Sequence, residues 1–151
     1  MRGFKLLGAF CAVSMTIFAA NDVFVGTWKL NPGKSKFAAG TAMTDESFTF
    51  SKEGDQWKRT ATGTDPDGKP IKEDSTIAWD GKDHSIDEPG MTVAVNILNE
   101  HSIKFTIKHE GKIIMVGRLV VSKDGRAITA YAKGTDEKGR KIDNVEIFDK
   151  Q

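Results

Sequence analysis

The three histidines are the side chains of this sequence best suited to acid–base chemistry or metal binding, but their spacing favours neither role. No two of His84, His101 and His109 are two residues apart, the spacing that puts two ligands on one face of a strand. The acidic pairs at 73–74 and 87–88 are neighbours in sequence, and neighbours on a strand face opposite ways. No serine lies in a Gly-X-Ser-X-Gly pattern. The sequence therefore predicts no catalytic residue, no metal site and no cofactor, and we do not expect an enzyme.

The beginning of the chain has the composition of an export signal. Arg2 and Lys5 give it a basic start, and the apolar run that follows ends in small residues. That run is shorter than the about 20 apolar residues that a membrane-spanning helix needs. We expect residues 1–20 to be a signal peptide, with a retained anchor as the alternative. Residues 21–151 are then a single exported domain, periplasmic or secreted, without the only cysteine, Cys11.

The charge balance of the exported part excludes some classes of partner. Removal of residues 1–20 takes away two of the 22 basic residues and none of the 21 acidic ones, which leaves a net charge of −1. Such a balance favours neither nucleic acid nor an anionic membrane surface. We also expect no membrane-spanning segment in the mature chain.

The mature sequence alternates between apolar and polar residues in short segments separated by glycine. Strict alternation, as in residues 91–97 and 102–108, is typical of a strand with one buried face. Pairs of a polar residue and glycine between such segments are typical of hairpin turns, because glycine accepts positive φ. Strands are predicted at roughly 24–30, 44–52, 55–64, 70–79, 83–87, 91–98, 101–109, 112–122, 126–134 and 141–149.

This pattern predicts an all-β protein in which consecutive strands form an antiparallel meander. A meander of this many strands hides its two edges by closing into a barrel. A β-sandwich is the competing architecture, but it needs longer connections between its sheets. We therefore expect an up-and-down barrel of eight to ten strands.

The segment FVGTWKL at 24–30 resembles the first strand of lipocalins and fatty-acid-binding proteins, the calycin barrels, in which Gly-X-Trp opens the barrel. The longer stretch GTWKLNPGKSKF is similar to the start of small exported bacterial lipocalin-like proteins. The resemblance implies that Gly26 bends the first strand and that Trp28 is a structural plug at one end of the barrel. It also implies that an arginine from a late strand covers the indole, with Arg118 and Arg126 as candidates.

The resemblance to fatty-acid-binding proteins is incomplete in two places. The segment at 31–41 is too short for the two-helix lid that follows their first strand. Their last strand carries an Arg-X-Tyr that grips a carboxylate, and the corresponding positions here are Glu146 and Phe148. A carboxylate clamp at those positions is therefore not expected.

We expect the barrel to bind a small hydrophobic or amphipathic ligand in its interior. The strands at 91–98, 101–109 and 112–122 would supply most of the wall. The predicted ligand-binding residues are Phe48, Phe50, Trp57, Trp79, Val93, Val95, Phe105, Met115, Arg118 and Tyr131. Arg118 would bind an anionic head group if it points inward, but the apolar residues on both faces of its strand leave its direction open.

The alternative function is that of a non-enzymatic barrel scaffold that binds a protein partner, as an inhibitor or envelope component. Its contacts would lie in the polar loops at 31–46 and 64–70. The sequence also leaves open whether the barrel is hollow or filled with side chains.

Overall fold

A computed structural model describes residues 22–151, so the predicted signal peptide lies outside the described residues. This part of the chain is built almost entirely from ten strands. They are β1 (Gly26–Leu30), β2 (Thr44–Glu53), β3 (Gln56–Thr64), β4 (Pro70–Ala78), β5 (His84–Ser85), β6 (Met91–Asn99), β7 (Ser102–His109), β8 (Lys112–Val121), β9 (Ala127–Thr135) and β10 (Lys141–Lys150). Two short 3-10 helices, Asp22–Phe24 and Pro32–Lys34, flank β1. Each predicted strand boundary lies within two residues of the observed one.

All ten strands belong to one antiparallel sheet, in the order β4-β3-β2-β1-β10-β9-β8-β7-β6-β5. Except for β4 and β5, each strand pairs with its neighbour in sequence, and β1 also pairs with β10, so the meander curls back onto its own beginning. The predicted all-β antiparallel barrel is therefore confirmed. The ring has one seam, because β4 and β5 are the two ends of the strand order and do not pair with each other.

The hairpins follow from the glycine pairs. Glu110 and Gly111 connect β7 to β8 with φ of 47° and 78°, the two positive values that a type I′ turn needs. Gly54, with φ of 63°, is the first of the two residues between β2 and β3. Such two-residue turns match the right-handed twist of the flanking strands, and therefore keep consecutive strands paired.

Trp28 lies at the closed end of the barrel and is fully buried. Its indole Nε1 donates a hydrogen bond of 2.9 Å to the carbonyl of Phe24, in the 3-10 helix that covers this end. The Lys150 Nζ atom lies 5.2 Å from the centre of the indole ring. Trp28 and Lys150 are opposite each other in the ladder between β1 and β10. The cation over the indole is therefore Lys150 rather than either of the predicted arginines.

Aromatic side chains fill the rest of the closed end. Trp57 and Trp79 stack with their ring centroids 4.0 Å apart and an interplanar angle of 7°. Phe50 meets both tryptophans edge to face, and Phe48 packs against Phe148 at 4.8 Å. Because each buried aromatic side chain removes a large apolar area from water, this end supplies most of the stabilising core.

The opposite, open end is partly covered by residues 36–43, which we call the strap. The Asn144 side chain holds the strap, because its Oδ1 accepts hydrogen bonds from the Ala38 amide at 2.9 Å and the Thr41 hydroxyl at 3.0 Å. Phe37 packs against the hydrophobic core beneath it. A single irregular segment thus covers part of the open end.

Ion pairs connect two hairpin turns at the same end, the one between β3 and β4 and the one between β9 and β10. The Arg140 guanidinium donates to both carboxylate oxygens of Asp67, at 3.2 and 3.1 Å, and also to Asp136. Lys138 Nζ lies 2.9 Å from Asp67. Hydrogen bonds from Lys138 and Arg140 hold the pKa of Asp67 below its ordinary value. These pairs fix the two turns beside the strap.

Candidate functional site

The open half of the barrel carries charged side chains on its inner face. Strand alternation places residues two apart on the same face, so Glu46 follows the inward direction of the buried Phe48. Glu146 follows the inward direction of the buried Phe148 in the same way. The inner-face charges are Glu46 on β2, Arg59 on β3, Glu73 on β4 and Glu146 on β10.

Arg59 is the centre of this charged group. Its Nη1 donates a hydrogen bond to Glu73 Oε2, and its Nη2 lies 3.5 Å from Glu46 Oε1. Its guanidinium carbon lies 5.1 Å from the centre of the Phe48 ring, within the range of a cation–π contact. Arg59 therefore rests on the aromatic core with its charge engaged by two carboxylates.

Glu46 is the most enclosed of the carboxylates, with 12% of its side chain exposed. Desolvation by burial raises its pKa from 4.5 to about 7, against the lowering effect of Arg59. The negative charges of Glu146 and Glu73 raise it further. A Cβ atom at Gly63 would stand 2.9 Å from the Glu46 Cα, so glycine at this position lets β3 approach the backbone of Glu46 closely.

Glu146 connects the charged group to the strap. Burial raises its pKa, although a hydrogen bond from Asn144 and the charge of Arg59 act in the opposite direction. The donor is Asn144 Nδ2, at 3.2 Å from Glu146 Oε1, and the Oδ1 atom of the same amide holds the strap. One buried amide therefore contacts both the inner carboxylate and the cover of the open end.

Apolar side chains form the opposite inner wall. The ladder places Val95 opposite Phe105, Phe105 opposite Gly117, and Gly117 opposite Ala132, so these residues share the inner face of β6 to β9. A Cβ atom at Gly117 would stand 2.2 Å from Phe105 Cζ, so the phenyl ring lies directly on the glycine. This wall comprises Val93, Val95, Phe105, Met115, Leu119 and Ala132, of which all but Val95 are only half-buried.

We call the open half of the barrel interior, bounded by the charged group and the apolar wall, the vestibule. Two clefts lie at the rim of the open end, with volumes of about 480 and about 470 Å³. The second is lined in part by Met91, two residues before Val93 on the same strand, and by His109 and Ile114. It lies beside the rim-side ends of the strands that carry Val93 and Met115, and none of its lining residues belongs to the charged group or to the apolar wall.

The predicted ligand-binding residues occupy three different environments. Phe48, Phe50, Trp57, Trp79 and Val95 are buried in the core. Val93, Phe105 and Met115 line the half-buried wall of the vestibule. The structure thus brings eight of the ten predicted residues to the barrel interior, and three of those lie where a ligand would find partly accessible surface.

Arg118 and Tyr131 lie on the outer face of the barrel, so neither lines the interior. They are opposite each other in the ladder between β8 and β9, and Tyr131 is 41% exposed. The Arg118 guanidinium carbon lies 5.4 Å from the centre of the Tyr131 ring. Their direction follows from alternation, because Gly117 and Leu119 on either side of Arg118 face inward. An anionic head group bound by Arg118 inside the barrel is therefore ruled out by the geometry.

Sequence reasoning did not single out Glu46, Arg59 or Glu73 as interior residues, although alternation carries the signal. Arg59 is two residues from Trp57, and Glu73 is four from Ile77, both of which are buried. Glu46 is harder to place, because the ladder register shifts between Thr44 and Ser47.

Other polar clusters of the described chain show no comparable enclosure. His84 Nε2 lies 2.8 Å from Asp80 Oδ1, in an exposed pair. Within residues 22–151, no three His, Cys, Asp or Glu side chains come together in a way that could hold a metal ion. None of the helices described in this range has the length and apolar character needed to cross a membrane.

No protein-family model and no curated protein matches the chain. Among solved structures, secretory abundant heat soluble protein 4 from Ramazzottius varieornatus is similar over 87% of this chain and 97% of its own, with TM-score 0.59 and 10% identity. The zebrafish ileal bile acid-binding protein, complexed with cholic acid, is similar over 85% of this chain and 99% of its own, with TM-score 0.49 and 13% identity. The redesigned β-barrel mFAP1, bound to DFHBI, is similar over 87% of this chain and 98% of its own, with TM-score 0.46 and 16% identity.

The fold is thus a lipocalin-like barrel, as the first strand suggested. The TM-score of 0.59 at 10% identity establishes similarity of the fold alone. The function has to be argued from the vestibule itself.

Proposed function

We propose that this protein, exported by its signal peptide, binds a small amphipathic molecule non-covalently in the vestibule. The observation that carries the proposal is the two-sided interior of the open half. A half-buried apolar wall around Phe105 and Met115 faces a charged group centred on Arg59. An apolar chain and a polar head on one ligand match these two sides.

The apolar wall can supply the affinity. Burial of apolar surface stabilises a complex by roughly 25 cal/mol per Å², so a chain that buries about 200 Å² gains about 5 kcal/mol before the costs of association. Val93, Phe105 and Met115 are still partly exposed and therefore have surface to offer. The aromatic core beneath them is already filled and serves as the floor.

The charged group gives the ligand its orientation. Burying ionised side chains costs stability, which a purely structural core avoids by using apolar residues. Enclosed carboxylates with a raised pKa, such as Glu46 and Glu146, therefore favour a functional site. Their position beside the apolar wall favours a site for the ligand's polar head.

The alternative of a protein-binding scaffold receives less support. Two polar side chains of the loops proposed to carry its contacts are engaged within the chain. Thr41 is buried and held by Asn144, and Asp67 is held by Lys138 and Arg140. A free binding loop would present such side chains to a partner instead.

Filling the vestibule tests the proposal. Ala132→Leu adds a branched side chain on the inner face of β9, while Lys133→Leu puts the same side chain on the outer face one residue later. Binding of decylamine, decanol and decanoate is measured by isothermal titration calorimetry and native mass spectrometry. We expect at least one of the three to bind to the wild type in one-to-one stoichiometry, and to lose about tenfold or more in affinity with Ala132→Leu.

Lys133→Leu is the matched control and should bind as the wild type does. Unchanged far-ultraviolet circular dichroism confirms that both variants fold. The proposal is refuted if the wild type binds none of the three probes, or if Ala132→Leu and Lys133→Leu reduce binding equally.

A further inference from the structure

The inner face of the vestibule has an excess of negative charge. The four strands that present charged groups to it contribute three carboxylates, on Glu46, Glu73 and Glu146, and one guanidinium, on Arg59. The charge that this face offers to a ligand's head group is therefore net negative.

Arg59 does not offset this excess for an incoming anion. Its Nη1 is bound to Glu73 and its Nη2 faces Glu46 at 3.5 Å. A carboxylate head would have to displace one of these groups and would bring a further negative charge into the enclosure. Burying the ligand's carboxylate there would cost desolvation energy, and its repulsion by the remaining carboxylates would persist.

Glu46 and Glu146 have no cation to themselves, because Arg59 also binds Glu73. Glu146 has a hydrogen bond from the neutral Asn144 amide, and Glu46 shares the single guanidinium with Glu73. Burial therefore favours the neutral form of both acids, since too little positive charge reaches them. A cation placed beside them would pair with a charge that the folded protein leaves incompletely compensated.

The rim cleft beside Met91 and His109 has the same sign. Its lining includes Glu88, Asp136 and Glu137, and the eight lining residues include no lysine or arginine. Asp136 is paired with Arg140, while the other two carboxylates face the cleft without an ion pair described for them. Acidic groups at the rim of the open end raise the local concentration of cations.

We propose that the natural ligand is an amphipathic cation, a protonated amine on an apolar chain, whose ammonium group binds between Glu46 and Glu146. This assignment rests on the proposed function of the vestibule. The chain lies on the wall formed by Val93, Phe105 and Met115, and the ammonium donates hydrogen bonds to the two carboxylates. Arg59 keeps its contact with Glu73.

Three probes with the same chain test the sign of the head group. At about pH 8, decylamine should bind at least about tenfold more tightly than decanol, and decanoate should bind most weakly. Decanoate or decanol binding more tightly than decylamine overturns the assignment of the ligand while the vestibule stands. If none of the three binds, the proposed function itself fails, so the two failures are distinguishable.

Variants of the two carboxylates test where the ammonium sits. Glu46→Gln and Glu146→Gln should each weaken decylamine binding about tenfold and leave decanol binding nearly unchanged. Asp143→Asn is the matched control, because Asp143 lies on the outer face of β10, paired with Lys133. Equal losses for decylamine and decanol would show that the substitutions disturb the fold, and unchanged decylamine binding in both variants would overturn the proposal.

The pH dependence gives an independent measurement. The groups that face Glu46 are Arg59, Glu73 and Glu146, and alkylammonium ions keep their charge throughout the range from about pH 5 to about pH 8. Decylamine affinity should fall as the pH decreases through about 7, because Glu46 takes up a proton there. An affinity for decylamine that is constant over this range contradicts the role of Glu46.

Discussion

Replacing Glu46 by glutamine should remove much of the pH dependence of the barrel's stability. Burial raises the pKa of Glu46 from 4.5 to about 7, so the folded protein holds this proton more strongly than the unfolded chain does. The stability that the proton contributes is fully present below pH 4.5 and is lost as the pH rises through about 7. At about 1.4 kcal/mol per pH unit, this amounts to about 3 kcal/mol.

The size of the effect in the variant follows from the geometry. Glutamine has the shape of the protonated acid and carries no charge, so it avoids the desolvation cost at high pH. It keeps a carbonyl oxygen for Arg59, which lies 3.5 Å away, and the attraction of Arg59 for the ionised carboxylate is already included in the raised pKa of about 7. We therefore expect Glu46→Gln to be about 3 kcal/mol more stable than the wild type near pH 8, and nearly equal to it near pH 4.5. Glu146, whose pKa is raised for the same reason, leaves a smaller slope in the variant.

Urea unfolding followed by tryptophan fluorescence measures the difference, because all three tryptophans lie in the closed-end core. Free energies of unfolding are compared at several values between about pH 4.5 and about pH 8.5. Glu73→Gln is the control, because this partner of Arg59 is 53% exposed and its charge therefore costs little desolvation energy. Parallel stability curves for the wild type and Glu46→Gln would refute the claim that this carboxyl is charged at a cost inside the barrel.

Three further substitutions test the fold around the site. Trp28→Ala should destabilise the protein by about 3–5 kcal/mol in urea unfolding, because it leaves a cavity in the filled closed end. Asn144→Ala should cost about 1–3 kcal/mol and accelerate hydrogen exchange of the Ala38 amide, since that amide loses its acceptor. Gly117→Ala should lower stability by about 1–3 kcal/mol, because its Cβ would meet Phe105 and a backbone carbonyl oxygen at 2.3 Å. A thermal unfolding midpoint within about 2 °C of the wild type in any of the three contradicts the contact concerned.

The sequence predicts the fold well because hairpin turns and strand alternation are local properties. Glycine pairs such as Glu110-Gly111 mark where a strand ends, and they do so through backbone conformation rather than through distant contacts. The first strand also indicates which end of the barrel is closed, because Gly26 and Trp28 mark the end that the indole plugs. The predicted architecture is therefore confirmed along the whole described chain.

The site is less predictable, because its residues meet only across the barrel. Alternation determines that Phe105 and Met115 face inward once one residue of each strand has been placed. Alternation does not determine the direction of Arg118, because both faces of its strand are apolar. The contact between Phe105 and Gly117 in the structure shows that Gly117 faces inward and therefore that Arg118 faces outward. The pairing of Arg59 with Glu73 and Glu46 depends on side-chain reach between three strands, which no spacing in the sequence records.

The unpaired border between β4 and β5 makes the wall of this barrel a strip rather than a hoop. A hoop of hydrogen-bonded strands widens only by breaking its ladder, whereas a strip widens by flexing at its hairpins and keeps every ladder bond. Glu73 belongs to β4, the strand that forms one margin of the strip, and it grips Arg59 from there. Because β3 and β4 stay paired while the strip flexes, Arg59 and Glu73 would move together with that margin and keep their contact.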